Sequence, residues 1–186
     1  MKKLYLSIMV LMFTIAAVAQ ERKYGIKSGI IKTVTSVMGQ KVNAVLYFDD
    51  YGNIECSQTK TFSGSEQINI SAISKYGAMY IVNHFQKQTQ EVPPQESINY
   101  LYLTPETIER YNIQELGREK VLDKDCIKYS AEISQLGQKS SVLVWVWNGI
   151  PLKSITSSNG MEIKVEVLET QFNIDIDPTV FEIPSF

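Results

Sequence analysis

The chain is poor in the residues that most chemistry needs. Its 186 residues include one histidine, His84, and two cysteines, Cys56 and Cys126. One histidine rules out a His-rich metal site, and no zinc-ligand spacing appears. The cysteines lack the CxxC spacing of thioredoxin-like redox proteins. There is no GxSxG nucleophile elbow. Gly137-Gln138-Lys139-Ser140 ends like a phosphate-binding loop but lacks the glycine four residues upstream. Basic residues number 18 against 20 acidic, with no basic patch, so nucleic acid is not an expected partner. The paired carboxylates Asp49-Asp50, Asp123/Asp125 and Asp175/Asp177 read as solvated turn and loop ends rather than calcium ligands. Nothing singles out a catalytic residue, a metal or a cofactor, and the expectation is that the protein is not an enzyme.

One long apolar run is present, and it lies at the start. Met1-Lys2-Lys3 is followed by an almost wholly apolar stretch, Leu4–Val18, then Ala17-Val18-Ala19. A basic segment, an apolar core and a small-x-small site form a secretory signal. The run is about fifteen residues, short of the roughly 20 needed to cross a bilayer. The expected division is therefore a signal peptide over residues 1–19 and one mature domain over 20–186, with no transmembrane anchor after cleavage. The mature domain carries a net charge of about −4. An exported chain permits a Cys56–Cys126 disulfide, which would be worth roughly 4 kcal/mol in the chain-entropy model. Two separate thiols are the alternative.

The rest reads as mainly β. Tyr24–Met38, Lys41–Phe48, Ile54–Phe62, Gln67–Ser74 and Ala78–Gln86 alternate and are punctuated by turns, as in an antiparallel meander. Gln86–Asn99, with Pro93-Pro94, reads as an exposed loop. Thr104-Pro105-Glu106 opens a helix, Thr as cap and Pro at the first position, ending at Gly117 after Leu116. From Glu119 on, the pattern returns to strands. The centre of that region is Val142–Ser157, VLVWVWNGIPLKSITS. Trp145 and Trp147 share one face of a strand and Val142, Val144 and Val146 the other. A strand apolar on both faces needs two layers of cover. One can be a helix or a second sheet; the other can be a filled core or, in a curved sheet, an apolar cavity.

Four segments resemble the LolA-like periplasmic proteins. WVWNGIPLKSIT resembles their W…G-x-P-L/V-K hairpin. Asp177-Pro178-Thr179-Val180-Phe181-Glu182-Ile183-Pro184 resembles their D-P-x-x-F-x-x-P ending. Gly117-Arg118-Glu119-Lys120-Val121 with Cys126 and Tyr129 resembles a middle strand, and Tyr47–Asn53 a first hairpin. The resemblance implies a strongly curved antiparallel sheet forming an incomplete β-barrel with a helical lid, in the periplasm (or secreted) of a gram-negative bacterium. It implies a non-enzymatic binding protein or chaperone for an apolar ligand, lipid or lipoprotein acyl chain. The alternative is a structural or interaction module of the cell envelope with a filled core, whose partner is an envelope protein. The amphipathic helix that usually follows the signal is missing, leaving Thr104–Leu116 as the lid. Trp145, Trp147, Tyr80, Val82, Ile127 and Tyr129 are the candidate ligand-binding residues.

Overall fold

The computed structural model describes residues 22–63, 66–93, 97–135 and 138–186. The expected signal peptide, residues 1–19, lies outside them. The strands are β1 (Gly29–Val37), β2 (Gln40–Asp49), β3 (Ile54–Ser63), β4 (Glu66–Lys75), β5 (Ala78–Asn83) and β6 (Gln88–Val92), then β7 (Gln114–Val121), β8 (Lys124–Gln135), β9 (Gln138–Trp147), β10 (Ile150–Ser158) and β11 (Met161–Phe172). Among the described residues one α-helix, α1 (Pro105–Arg110), stands between β6 and β7. All eleven strands form one antiparallel sheet, in the order β6-β5-β4-β3-β2-β1-β11-β10-β9-β8-β7, that does not close on itself. The fold is therefore the mainly β, incomplete curved barrel with a short helix that the sequence led us to expect.

Three boundaries differ from the sequence reading. The first strand begins at Gly29, because residues 22–28 run across the end of the sheet instead of along it. The fifth ends at Asn83, whose side-chain oxygen accepts hydrogen bonds from the amides of Phe85 (3.1 Å) and Gln86 (3.0 Å) and turns the chain. That turn returns Gln88–Val92 as an edge strand where a loop was expected, and Pro93 follows its last residue, where a missing amide costs nothing. The helix keeps its Thr104 cap and its proline but stops at Arg110. Asn112 takes φ 46°, and residues 114–121 are strand, with Gly117 at φ 106° beside a register shift.

The curl has an identifiable cause. Tyr24 N donates to Tyr51 O (2.9 Å), in the β2–β3 turn, and the next amide, Gly25 N, donates to Asn148 O (2.9 Å), in the β9–β10 turn. Successive amides lie less than about 4 Å apart, so these two carbonyls lie within about 10 Å. In a flat sheet with strands about 4.8 Å apart, the two turns would stand about 19 Å apart. The strap 22–28 thus spans the chord of a strongly curved sheet, and a chord runs on the concave side. Gly149 is required here: a Cβ would meet Lys23 O at 2.6 Å.

Three apolar clusters follow. The first closes the strapped end and gathers Tyr24, Ile31, Phe48, Trp145, Ile150 and Leu152. Two neighbouring irregularities, at Pro151/Lys153 and at the β11 partner of Lys32/Thr33, shape it. Pairing between β10 and β11 runs from Ser158↔Met161 only to Lys153↔Glu166. Past that point Trp147 lies against Phe172, ring centroids 5.3 Å apart. The second cluster packs Tyr129, Ala131 and Val142, Val144 and Val146 under Ile98, Tyr100, Leu103, Tyr111 and Ile113. The third packs Cys56, Ile73 and Val82 under the C-terminal tail through Ile176, Val180 and Phe181.

Candidate functional site

Residues directly opposite in a sheet share a face, so the register sorts the side chains. Ile31, Leu46, Ser57, Ala72 and Ile81 form one cross-strand row on β1 to β5. Thr33, Ala44, Thr59 and Ile70 form the next row on the same face. Farther along, Thr35, Val165, Ser154, Val144 and Tyr129 carry that face across β1, β11, β10, β9 and β8. Tyr24 packs on it too, edge-on to Phe48 at 4.9 Å, with its hydroxyl donating to Glu55 at 2.5 Å. Because Tyr24 belongs to the strap, this is the concave, inner face.

The inner face is closed at one end and covered at one side. Burial, then the Glu55 charge, push the Tyr24 phenol well above its ordinary pKa, so it stays a donor. Lys23 Nζ shares the same carboxylate at 2.6 Å. Over β8 and β9 the cover is the segment 97–113. Tyr100 stacks on Tyr129 at 5.6 Å, and burial, then the neighbouring phenol, push Tyr100 up to about 12. Helix α1 buries no side chain itself; the flanking Tyr111 and Ile113 do the holding. Over β2 to β5, the second to fifth strands from the β6 edge, Ala44, Ile70, Ala72 and Ile81 remain half-buried, and Leu46 packs against the closed-end cluster. Small and hydroxyl side chains dominate this floor, which keeps it low.

The six candidate residues fall in three places. Trp145 and Trp147 lie together in the closed end. Trp145 is 3% exposed, its indole N–H donates to Glu119 Oε2 (2.8 Å), and the ammonium groups of Lys128 (4.6 Å) and Lys153 (4.3 Å) lie over its ring. That indole bond, then the two lysines, hold the Glu119 carboxyl below its ordinary pKa. Ile127 and Tyr129 lie on the inner face under the lid segment. Tyr80 and Val82 lie on the outer face, by the row Tyr47, Cys56, Ile73, Tyr80, and Val82 is sealed beneath the tail.

Both cysteines are free and buried, Cys56 in the outer cluster and Cys126 in the closed end, and burial pushes both thiols up in pKa. His84 Nε2 lies 2.8 Å from Ser71 Oγ, with Phe186 edge-on to the ring. Among the described residues no group of three His, Cys, Asp or Glu could hold a metal ion. The floor of Ala44, Leu46, Ile70 and Ala72 was not singled out in the sequence. Its signal is the alternation of small with apolar residues in β2 and β4.

No family model matches the sequence, and no curated protein is similar to it. Solved structures are similar in fold. An uncharacterized conserved protein from Thermus thermophilus matches with TM-score 0.59 at 11% identity, over 85% of this chain and 86% of that one. MucB, solved in complex with MucA(peri), matches with TM-score 0.51 at 10% identity, over 83% of this chain and 53% of that one. The LolA superfamily protein NE2245 from Nitrosomonas europaea aligns over 88% of this chain and 93% of that one, with 12% identity and TM-score 0.44. The first two share the fold, an antiparallel sheet that does not close into a barrel. Within it, the inner face of β2 to β5 is the candidate site, and the lid covers the same face farther along the sheet, at Tyr129 of β8.

Proposed function

We propose that this LolA-like domain is a non-enzymatic binding protein or chaperone of the cell envelope, exported by its signal sequence, that shelters one apolar chain of a lipid or lipoprotein on its inner face. The observation that carries this reading is the half-buried floor Ala44, Ile70, Ala72 and Ile81. A strand with neighbours on both sides is normally covered on both faces or wet on one, and a wet face carries polar side chains. Here the half-buried face mixes apolar Ala44, Ile70, Ala72 and Ile81 with the small hydroxyl residues Ser57 and Thr59 and carries no charged side chain in these rows. From the Ile31 row to Val37 is six residues of β1, about 20 Å of strand. One acyl chain occupies about 15 Å, half of the hydrocarbon core of a bilayer. The experiment is lipid extraction and mass spectrometry of the mature protein purified from its own host, with titration by a fluorescent fatty acid. Copurified lipid and saturable binding are the expected results. An empty protein that leaves the fluorescent fatty acid unbound overturns the reading.

A second reading is an interaction module of the envelope. The filled closed end around Trp145 favours it, and so does the likeness to MucB, solved with a protein partner. It expects recovery of a protein in pull-downs from the periplasm and no bound lipid.

A further inference from the structure

The open sheet has two free edges, and they differ. Edge β6 is five residues long and is followed by Pro93, and its Thr89 hydroxyl donates to Pro184 O of the C-terminal tail (3.0 Å). Edge β7 is eight residues long, its residues 114–120 are all exposed, and among the described residues no strand pairs with its outward side. After the register shift at Glu115/Gly117, its pairing with β8 runs unbroken from Gly117 to Val121. Such an edge leaves alternate N–H and C=O groups unpaired, and an extended peptide can take them up as one more strand.

The rows behind this edge define what the added strand should carry. Gly117, Lys128, Trp145 and Lys153 form one cross-strand row, on the face opposite Tyr129 and Val144. The ammonium groups of Lys128 (4.6 Å) and Lys153 (4.3 Å) are both held over the one indole. Glu166, the next member of the row, is engaged by Lys164 at 2.9 Å. Gly117 ends the row at the edge without a side chain, and nothing lies within 4 Å of where a Cβ would stand. Strands about 4.8 Å apart put an added residue facing Gly117 about 10 Å from Lys128, backbone to backbone, a gap that a carboxylate side chain and a lysine close between them. Four residues on, Val121 is opposite Lys124, whose ammonium lies over Trp147 (4.8 Å). Between these two positions Glu119 is occupied: it accepts from the Trp145 indole and lies 3.8 Å from Lys128. This face of the edge is therefore cationic, in a mature domain of net charge about −4. Leu116 and Leu122, at the two ends of the stretch, are exposed and give a partner apolar contacts.

We propose that β7 is the docking edge for an extended, acidic segment of a partner protein, which adds to the sheet as a strand with carboxylates facing Gly117 and Val121. The main chain supplies the hydrogen bonds, and Lys128 and Lys124 select the sequence. In the sheet β1 and β8 to β11 separate this edge from the floor of β2 to β5, so the proposal stands whether or not that floor holds an acyl chain.

The probe is a threonine-rich peptide with two glutamates four residues apart, matching Gly117 and Val121. Titrated to millimolar concentration into isotope-labelled protein, it is expected to slow hydrogen exchange at alternate amides of residues 114–121 and to move the Trp145 indole N–H signal. A glutamine analogue should bind about tenfold more weakly, and Lys128→Met, which keeps its stem over the indole, should weaken the glutamate peptide about fivefold. Lys75→Met, on β4, should change nothing. An unaltered melting temperature shows that the variants are folded, and the peptide analogues need no variant. Equal binding of the glutamine analogue overturns the selection by charge. A proline-interrupted analogue, lacking amides, that binds as well as the parent overturns strand addition. A Trp145 signal that answers phosphatidylglycerol vesicles and not the peptide assigns the lysines to a lipid surface and overturns the proposal, as does no response to the glutamate peptide.

Discussion

The two apolar regions of this sheet look alike in sequence and differ in structure. β9 carries Trp145 and Trp147 on one face, and β4 carries Ile70 and Ala72 on the inner face beside Ile81 of β5. The bulkier pair is enclosed, because the strap and the neighbouring irregularities in β10 and β11 bring Tyr24, Ile150, Leu152 and Phe172 onto it. The smaller set is left half-buried at a comparable distance from the middle of the sheet. Side-chain size accounts for both outcomes. Large rings fill the end where the curl brings strands together, and small side chains leave room where the sheet opens.

Truncations should separate these regions, and the greatest loss is expected at the closed end. Trp145→Ala should cost about 3–5 kcal/mol, since it empties a packed site and leaves Glu119 without its donor. Chemical denaturation measures it; a loss under about 1 kcal/mol would show that the closed end is not a filled core. Ile113→Ala, in the lid segment, should cost about 2–4 kcal/mol and raise hydrogen exchange in residues 97–113 more than in β1. Ile81→Ala, on the open floor, should cost about 1 kcal/mol. A cost equal to that of Trp145→Ala would mean the floor is covered after all.

The smallest effect concerns Glu119. Its folded-state pKa is depressed below the ordinary 4.5, chiefly by the Trp145 indole. Its contribution to stability is therefore present above pH 4.5 and is lost as pH falls through the lower, folded value. Trp145 fluorescence should shift with a midpoint below 4.5, and Glu119→Gln should remove that transition. A midpoint at or above 4.5 would contradict the indole contact.

Much of this fold can be read from local pattern. The Asn148-Gly149 and Asn159-Gly160 turns have φ near 48° and 78° at their two positions, the hairpin geometry those dipeptides favour. The Thr104 cap and Pro105 mark the helix start as the sequence implies. The far end of that helix was missed because Ile108, Tyr111 and Leu116 keep a helical spacing that Asn112 interrupts. The first strand was drawn too long because Tyr24 and Ile26 alternate like strand residues but serve the strap. The site was harder still. A filled core and an open floor use the same residue types, and what separates them is the curl, set by hydrogen bonds between residues 24–25 and the distant turns at 51 and 148. Tyr80 and Val82 illustrate the point: their alternation is right, and only the order of strands in the sheet shows that they face outward.

The most direct test fills the floor. Ala72→Trp adds an indole to the open row between Ser57 and Ile81. With a melting temperature close to that of the wild type, it should abolish the binding of a fluorescent fatty acid that the wild type shows. Wild-type binding that persists undiminished in folded Ala72→Trp protein would contradict the assignment of the inner face as the site.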